Sequence, residues 1–330
     1  MSNYQKLSNK KVLITGGAGF IGSNLCESFL EAGNEVICLD NLSTGFRSNL
    51  EHLMDEPGFE FVEGDIRDFD TCKECVKKVH VVLHQAALGS VPRSIKDPIT
   101  SNQVNVDGFL NILQASRETG VERIVYAASS STYGDSVELP KIEENIGMPI
   151  SPYAVTKYVN ELYAHVFSNL FDLKIIGLRY FNVFGRKQTP DGAYAAAIPK
   201  FIKAFMNHES PQIHGDGMQT RDFTYIDNVI QINHLAALTE NADAFNNVYN
   251  VAYGERTSLM DLIDVIRDSL TRFDSAISKV QVEHGPPRQG DVRDSLADIS
   301  KAQKLLGYKP EYSLNDGIRE AIDWYWKSLK

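Results

Sequence analysis

Two side chains four residues apart carry the plainest chemical signal in this sequence. The segment Ser151-Pro-Tyr-Ala-Val-Thr-Lys157 opens a helix, with serine suited to the cap and proline to the first turn. Tyr153 and Lys157 therefore project from one helical face, one turn apart. An ammonium beside a phenol favours the phenolate, so Tyr153 is expected to ionise more readily than a free tyrosine and to act as a general base near neutral pH. The same spacing occurs on ordinary amphipathic helices, so the pair gains weight only from its company. That company is a serine cluster, Ser129-Ser130-Ser131, after a strand-like run, and a glycine-rich loop near the N-terminus.

The loop lies in Lys11 to Gly22, KVLITGGAGFIG. An apolar run of strand character leads into Gly16, Gly19 and Gly22, and Ile21, Leu25 and Phe29 then repeat with helical spacing. Strand, tight turn and helix in that order suit a pyrophosphate: glycine lets the backbone approach closely, and the helix N-terminus favours the anion. The next strand-like run ends in Asp40, at about the spacing at which an acid takes the adenosine ribose hydroxyls. An acid there repels a 2′-phosphate, so NAD is expected rather than NADP. A strand-end acid can also be a plain cap.

The whole chain sets limits on partners. Its 330 residues suffice for a large core and suggest two structural units. A net charge of −10 speaks against nucleic acid, so any anionic ligand must be held by a local cluster of Arg, Lys and amide groups. No apolar run approaches the roughly 20 residues that span a bilayer, and MSNYQKLSNKK lacks the apolar stretch of a signal peptide, so a cytoplasmic protein is expected. Cys72 and Cys75 have metal-ligand spacing, but no second pair answers them, and His80 and His84 flank an apolar strand. Cys26, Cys38, Cys72 and Cys75 are expected to be reduced thiols, with no metal bound.

Strand-like runs at 59–63, 79–84, 123–128, 174–179 and 248–251 alternate with helical patterns, notably 104–118 and 152–170. That alternation predicts an α/β fold, a Rossmann-like doubly wound parallel sheet with a smaller C-terminal α/β domain. The expected division is 1–181 and 182–330, with segments near 222–252 crossing back. Ligands on such sheets lie beyond the carboxyl ends of the strands, which marks Asp40-Asn41, Gly64-Asp65, Gln85-Ala86-Ala87, Ser129-Ser130-Ser131 and Tyr180-Phe181-Asn182. Asp65 could contact the adenine ring or merely end its strand. Past Asn182 the pattern loosens into loops (185–192, 215–219, 285–290) between helices at 193–207, 226–239 and 259–270. A last helix, 314–329, carries Trp324, Tyr325 and Trp326, read as packing.

TGGAGFIG, Ser129-Ser-Ser-Thr-Tyr-Gly134 and the Tyr153/Lys157 pair together resemble the extended short-chain dehydrogenase/reductase family over almost the whole chain. Within it, Ala86-Ala-Leu-Gly-Ser-Val-Pro-Arg-Ser94, Arg179-Tyr-Phe-Asn-Val-Phe-Gly185, Gly192-Ala-Tyr-Ala-Ala196, Thr220-Arg-Asp-Phe223 and Arg288-Gln-Gly-Asp-Val-Arg293 resemble the nucleotide-sugar 4-epimerases. More narrowly, the chain is similar to the bacterial UDP-N-acetylglucosamine 4-epimerases of surface-polysaccharide pathways, such as those that make O-antigen.

The resemblance implies Ser129, Tyr153 and Lys157 as the catalytic set. Ser129 follows from the family register, four residues before the tyrosine of the Tyr-Gly pair, with Ser130 and Ser131 as the neighbouring choices. For NAD it implies Gly16, Gly19, Phe20, Ile21, Gly22, Asp40, Asn41, Ser43, Thr44, Gly45, Asp65, Ile66, Gln85, Ala86, Ala87, Asn105, Tyr180 and Val183, besides Tyr153 and Lys157. For the UDP-sugar it implies Gly89, Ser90, Ser129, Ser130, Asn182, Gln188, Ala195, Ala196, Ile198, Arg221, Arg288, Asp291 and Ser295. In that scheme Arg221 and Arg288 clamp the diphosphate and Asp291 takes the uridine ribose. Gly89 leaves volume for an acetamido group, whose tolerance is connected with Ser295.

Related 4,6-dehydratases and uronate decarboxylases carry acids where Ser130 and Ser131 stand, and serine cannot replace them at neutral pH. UDP-glucose and UDP-glucuronate 4-epimerases stay open, with Arg93 a candidate partner for a uronate carboxylate. A non-catalytic NAD-binding regulator would lack the Tyr/Lys pair. The family implies a homodimer through helices 104–118 and 152–170, whose apolar faces could equally be core.

Overall fold

The computed structural model describes residues 4–191, 195–286 and 293–329. Seven runs rich in Val, Ile and Leu form one parallel sheet: β1 (Lys11–Thr15), β2 (Glu35–Asp40), β3 (Phe59–Glu63), β4 (Val81–His84), β5 (Arg123–Ser129), β6 (Ile175–Tyr180) and β11 (Asn247–Val251). Their order across the sheet is β11-β6-β5-β4-β1-β2-β3. The connections leave β1 toward β2 and β3 on one side and toward β4 on the other. A crevice thus opens beyond the carboxyl ends of β1 and β4, where the order reverses.

Helices cover both faces. On one lie α1 (Phe20–Glu31) and α8 (Ile226–Leu238), which bury Leu25, Phe29, Val229 and Ile232. On the other lie α2 (Phe69–Val76), α5 (Gly108–Thr119) and α6 (Pro152–Phe171), with Cys72, Phe109, Leu113 and Phe167 inward. Each fully buried aromatic or aliphatic side chain contributes about 1.5–3 kcal/mol. All four cysteines are buried free thiols. Before α5 the chain is already helical: α3 (Val91–Lys96) and α4 (Pro98–Asn102) lead into a wide turn, Gln103–Asp107. The helix expected at 104–118 therefore continues an earlier one, started by the Asp97 side chain, which accepts the Thr100 amide at 3.0 Å.

Beyond Tyr180 the chain alternates between the sheet and a smaller layer. Short ladders pair β7 (Val183–Phe184) with β10 (Thr224–Tyr225), β8 (Gln212–His214) with β13 (Glu283–Gly285), and β9 (Thr220–Arg221) with β12 (Thr257–Ser258). Around them pack α7 (Ala197–Met206), α9 (Leu259–Thr271), α10 (Ser300–Leu306) and α11 (Leu314–Ser328). The strand expected at 248–251 is β11, which lengthens the large sheet by pairing with β6. In α11 Tyr325 is buried and donates its hydroxyl to Gly185 O at 2.8 Å, while Trp326 stacks on Phe273.

Two histidines are sealed inside. His84, at the end of β4, meets the Thr15 hydroxyl at 2.9 Å. His234 accepts the Leu7 amide, meets Ser28 Oγ at 3.1 Å and stacks on Phe29. Burial holds both neutral by pushing each pKa down from 6.5 to about 3. A depressed pKa contributes stability present above 6.5 and lost as pH falls toward 3, at about 1.4 kcal/mol per pH unit for each ring. His234→Gln should therefore flatten the dependence of urea midpoint on pH between 6 and 4 by about one proton. An unchanged slope would contradict this.

Candidate active site

The glycine loop has a form that only its own sequence permits. Gly16 sits at φ +69°, and a Cβ on Gly22 would lie 2.1 Å from Gly16 O. Gly19 precedes helix α1 as its cap residue and no side chain caps the helix, so its first-turn amides are left for an incoming anion. At the end of β2, the nearly buried Asp40 carboxylate accepts the Ala18 amide at 3.0 Å and the Leu42 amide at 2.8 Å. Burial still leaves its pKa above the ordinary value. Hydroxyl donors from a ribose would satisfy it further. A glycine turn without room for side chains, free helix amides and a buried acid fit a dinucleotide.

From this loop a cleft of about 520 Å³ runs along the strand ends. Gly16, Gly19, Phe20, Ile21, Gly22, Asp40, Asn41, Ser43, Thr44, Asp65, Ile66, Gln85, Ala86 and Ala87 line its first part. Ser129, Tyr153, Lys157, Tyr180 and Val183 line its far end. Two residues expected at the cofactor, Gly45 and Asn105, are not among those that line the cleft. Gly45 packs against Ala18, where a Cβ would lie 2.7 Å from its carbonyl carbon. Asn105 is buried in the wide turn, accepting the Leu88 amide at 2.7 Å and donating to Thr156 Oγ1 at 3.0 Å. Asp65 lines the cleft, but its carboxylate is held by Arg67 at 2.6 Å and Asn41 at 2.8 Å, and the Arg67 fork pulls its pKa down to about 2.

At the far end, Ser151 caps α6 by accepting the Ala154 amide at 3.1 Å, and Ser94 Oγ accepts the Tyr153 amide at 3.0 Å. These bonds fix the first turn and aim the phenol. Ser129 Oγ accepts from the Ser131 amide at 3.2 Å and from the Ser131 hydroxyl at 2.9 Å. Its hydroxyl lies beside the Tyr153 phenol and favours the phenolate. Of the three serines, Ser129 is the one that meets Tyr153.

Lys157 lines the same cleft as Tyr153. Its ammonium donates to Ala127 O at 2.8 Å, and burial drops its pKa to about 8, with Glu161 pulling the other way. Tyr153 lies above the ordinary tyrosine value because of burial, with the Ser129 bond as the opposing influence. In the protein alone, desolvation is the larger influence on the phenol. Beneath the turn, Arg179 forms a two-pronged buried bond to Glu161 at 2.9 and 2.7 Å. Thr132 donates to the same carboxylate, tying the serine turn to α6.

Two further cavities open from this end. One of about 550 Å³ is lined by Asn182, Gln188, Ala195, Ala196, Ile198 and Arg221, and also by Lys200, Gln212 and His214. The other, about 360 Å³, is lined by Ser129, Ser130, Asn182, Arg221 and Ser295, with Lys141 and Ile95. Asn182 borders both cavities and the cofactor cleft. It has φ +33° and donates from Nδ2 to Asp222 O at 3.0 Å. Gly89 lines the cofactor cleft, with nothing within 4 Å of where a Cβ would stand. Ser90 instead caps α3, accepting the Arg93 amide at 3.2 Å. Arg288 and Asp291 lie outside the described residues.

Sequence reasoning missed Lys141, Lys200 and Gln212. Lys200 sits in a helical run with no motif, and Gln212 reaches its cavity through the β8–β13 ladder, which joins segments about seventy residues apart. Lys141 enters through a bridge to Ala297. Nothing in the local sequence marks these pairings. Among the described residues, no group of three or more His, Cys, Asp or Glu is placed to hold a metal ion, and no helix is long and apolar enough to cross a membrane.

A parallel sheet of this order, with a dinucleotide loop and a Ser–Tyr–Lys end, matches a known class. Residues 12–252 match the model of the NAD dependent epimerase/dehydratase family, and the chain belongs to that family. Its cofactor is NAD. A relative from Methanocaldococcus jannaschii, named putative UDP-glucose 4-epimerase, is 38% identical over 95% of this chain and 97% of its own. The UDP-N-acetylglucosamine 4-epimerase from Methanobrevibacter ruminantium M1, solved with UDP-N-acetylmuramic acid, is 36% identical with a TM-score of 0.90, over 97% of this chain and 99% of that one. The UDP-glucuronic acid 4-epimerase from Bacillus cereus, solved with UDP-glucuronic acid and NAD, is 32% identical with a TM-score of 0.85, over 96% and 99%. The resemblance and fold class read from the sequence both hold.

Because Gly22 faces a carbonyl oxygen, Gly22→Ala must open the loop. NAD affinity should fall by about a hundredfold in a fluorescence titration, or ~2.7 kcal/mol. Unchanged affinity would remove the loop from the cofactor site.

Proposed function

We propose that this chain interconverts UDP-hexoses epimeric at C4, with UDP-N-acetylglucosamine and UDP-N-acetylgalactosamine the preferred pair. The observation that carries this reading is the meeting of three cavities at Asn182, with Ser129 and Tyr153 in the wall of the cofactor cleft. A hexose in the smallest cavity would then present C4 to the cofactor cleft while its nucleotide occupies the larger neighbouring cavity, with Arg221 in the wall of both. NAD, when bound, supplies a reversible hydride acceptor for C4.

The chain's own groups do the remainder. Tyr153 takes the 4-hydroxyl proton and returns it, and Ser129 hydrogen-bonds the reacting oxygen. Lys157 holds the cofactor's ribose. Guanidinium forks on Arg221 and Arg288 anchor the diphosphate, with Asp291 at the uridine ribose, while the 4-keto sugar turns to present its other face. Gly89, Ser130, Ala195, Ala196 and Ser295 are small, and Gln188 donates to Val183 O at 3.1 Å, which leaves room around an acetamido group. Ser130 and Ser131 provide no acid to expel a 6-hydroxyl, which disfavours dehydration. A second reading, a UDP-hexuronate 4-epimerase, is favoured by one observation: Lys141, nearly buried, lines the sugar cavity without an acid beside it in that lining. The product would feed bacterial surface polysaccharide assembly from the cytoplasm.

The protein is proposed to work as a homodimer. On α6, Val155, Leu162, Val166 and Leu170 are each about half exposed or more and share one face. Leu162→Arg with Val166→Arg should convert a dimer to a monomer in sedimentation equilibrium. A monomeric wild type would overturn the assignment.

Purified enzyme should convert UDP-N-acetylglucosamine faster than UDP-glucose or UDP-glucuronate without added NAD, since no net oxidation occurs. Consumption of NAD in proportion to product would contradict the scheme. Tyr153→Phe should lower kcat by about a thousandfold yet leave NAD bound. Unchanged turnover would remove Tyr153 from its role.

A further inference from the structure

Asn182, Arg221 and Ser295 come from three separate stretches of chain, yet they share the wall of the sugar cavity. What joins these stretches is a single fully buried carboxylate. Asp222, between β9 and β10, accepts the Tyr253 amide at 3.2 Å, the Gly254 amide at 3.2 Å and the Ala297 amide at 3.2 Å. Its backbone oxygen takes the Asn182 side chain at 3.0 Å. On either side the same segment makes further ties. The Ser295 amide donates to Thr220 O, and the Thr224 hydroxyl donates to Phe181 O and Val251 O. Arg221, next in the chain to Asp222, donates to Thr220 O and Arg293 O, so its guanidinium stem depends on the same joint.

We infer that Asp222 is a positioning residue for the nucleotide-sugar, which fastens the exits of β6 and β11 and the returning segment at 293–297 into one binding wall. It lines none of the three cavities at the site. Its cost is high, because a buried carboxylate bound mainly by amides must be desolvated. Burial accordingly raises its pKa to about 7, against the three amides, while Glu255 nearby opposes ionisation. A carboxylate supplies acceptors for all three amides, whereas asparagine of the same size has one oxygen and presents N–H groups to an N–H donor. The fold beyond the wall does not use this contact: the glycine loop, Asp40 and the Ser129–Tyr153 bond are all built from other segments.

This role rests on the UDP-hexose reading, and its test separates the two. In Asp222→Asn, KM and Kd for UDP-N-acetylglucosamine should rise about tenfold, while kcat stays within about threefold and NAD affinity within about twofold. An unchanged KM, or equal weakening of NAD and nucleotide-sugar, would overturn the role. A wild type that fails to bind UDP-N-acetylglucosamine would sink the substrate reading instead. Should the variant not fold even with saturating NAD, hydrogen exchange on the wild type decides. Saturating UDP-N-acetylglucosamine should slow the Gly254 and Ala297 amides by about tenfold beyond NAD alone, and equal exchange would overturn the role.

Discussion

The site depends on one meeting, that of Ser129 with Tyr153 in the wall of the cofactor cleft. It is made by the end of a central strand and the first turn of a long helix, so it exists only if β5 and α6 hold their register. Much of the surrounding structure serves that register. Ser151 and Ser94 fix the helix start, Ser131 orients the Ser129 hydroxyl, and the Glu161–Arg179 pair clamps the serine turn from below. A buried ion pair of this kind adds little net stability, but breaking it leaves a charge stranded, so it selects one arrangement over its neighbours.

Electrostatics at this contact work against the protein until ligands arrive. Burial raises the tyrosine and lowers the lysine toward neutrality, which is the reverse of an activated base. A cofactor and a sugar that replace water around these groups would change both influences. Belonging to the NAD dependent epimerase/dehydratase family is consistent with a site whose protein groups are completed by what it binds.

Much of this was legible from residues in sequence. The strand–turn–helix at Gly16–Gly22, Asp40 at a strand end and Tyr153/Lys157 one turn apart are local patterns, and local backbone chemistry places them correctly. The serine cluster at the end of a strand was also readable, and Ser129 and Ser130 both line the cleft with Tyr153. What was not legible depends on pairing at a distance or on desolvation. Lys141 and Gln212 reach the cavities through bridges to segments far along the chain, and Asn105 turns inward because a wide helical turn points it at Leu88. The lowered pKa of Lys157 and the raised one of Tyr153 come from burial, which spacing does not report.

The central claim is that hydrogen leaves a ring carbon and returns to that same carbon without escaping to solvent. The direct measurement uses UDP-N-acetylglucosamine carrying deuterium at C4, converted in ordinary water and read by mass spectrometry and NMR. Nearly complete retention of deuterium at C4 of the epimer is expected. Loss of the label to solvent would contradict the claim.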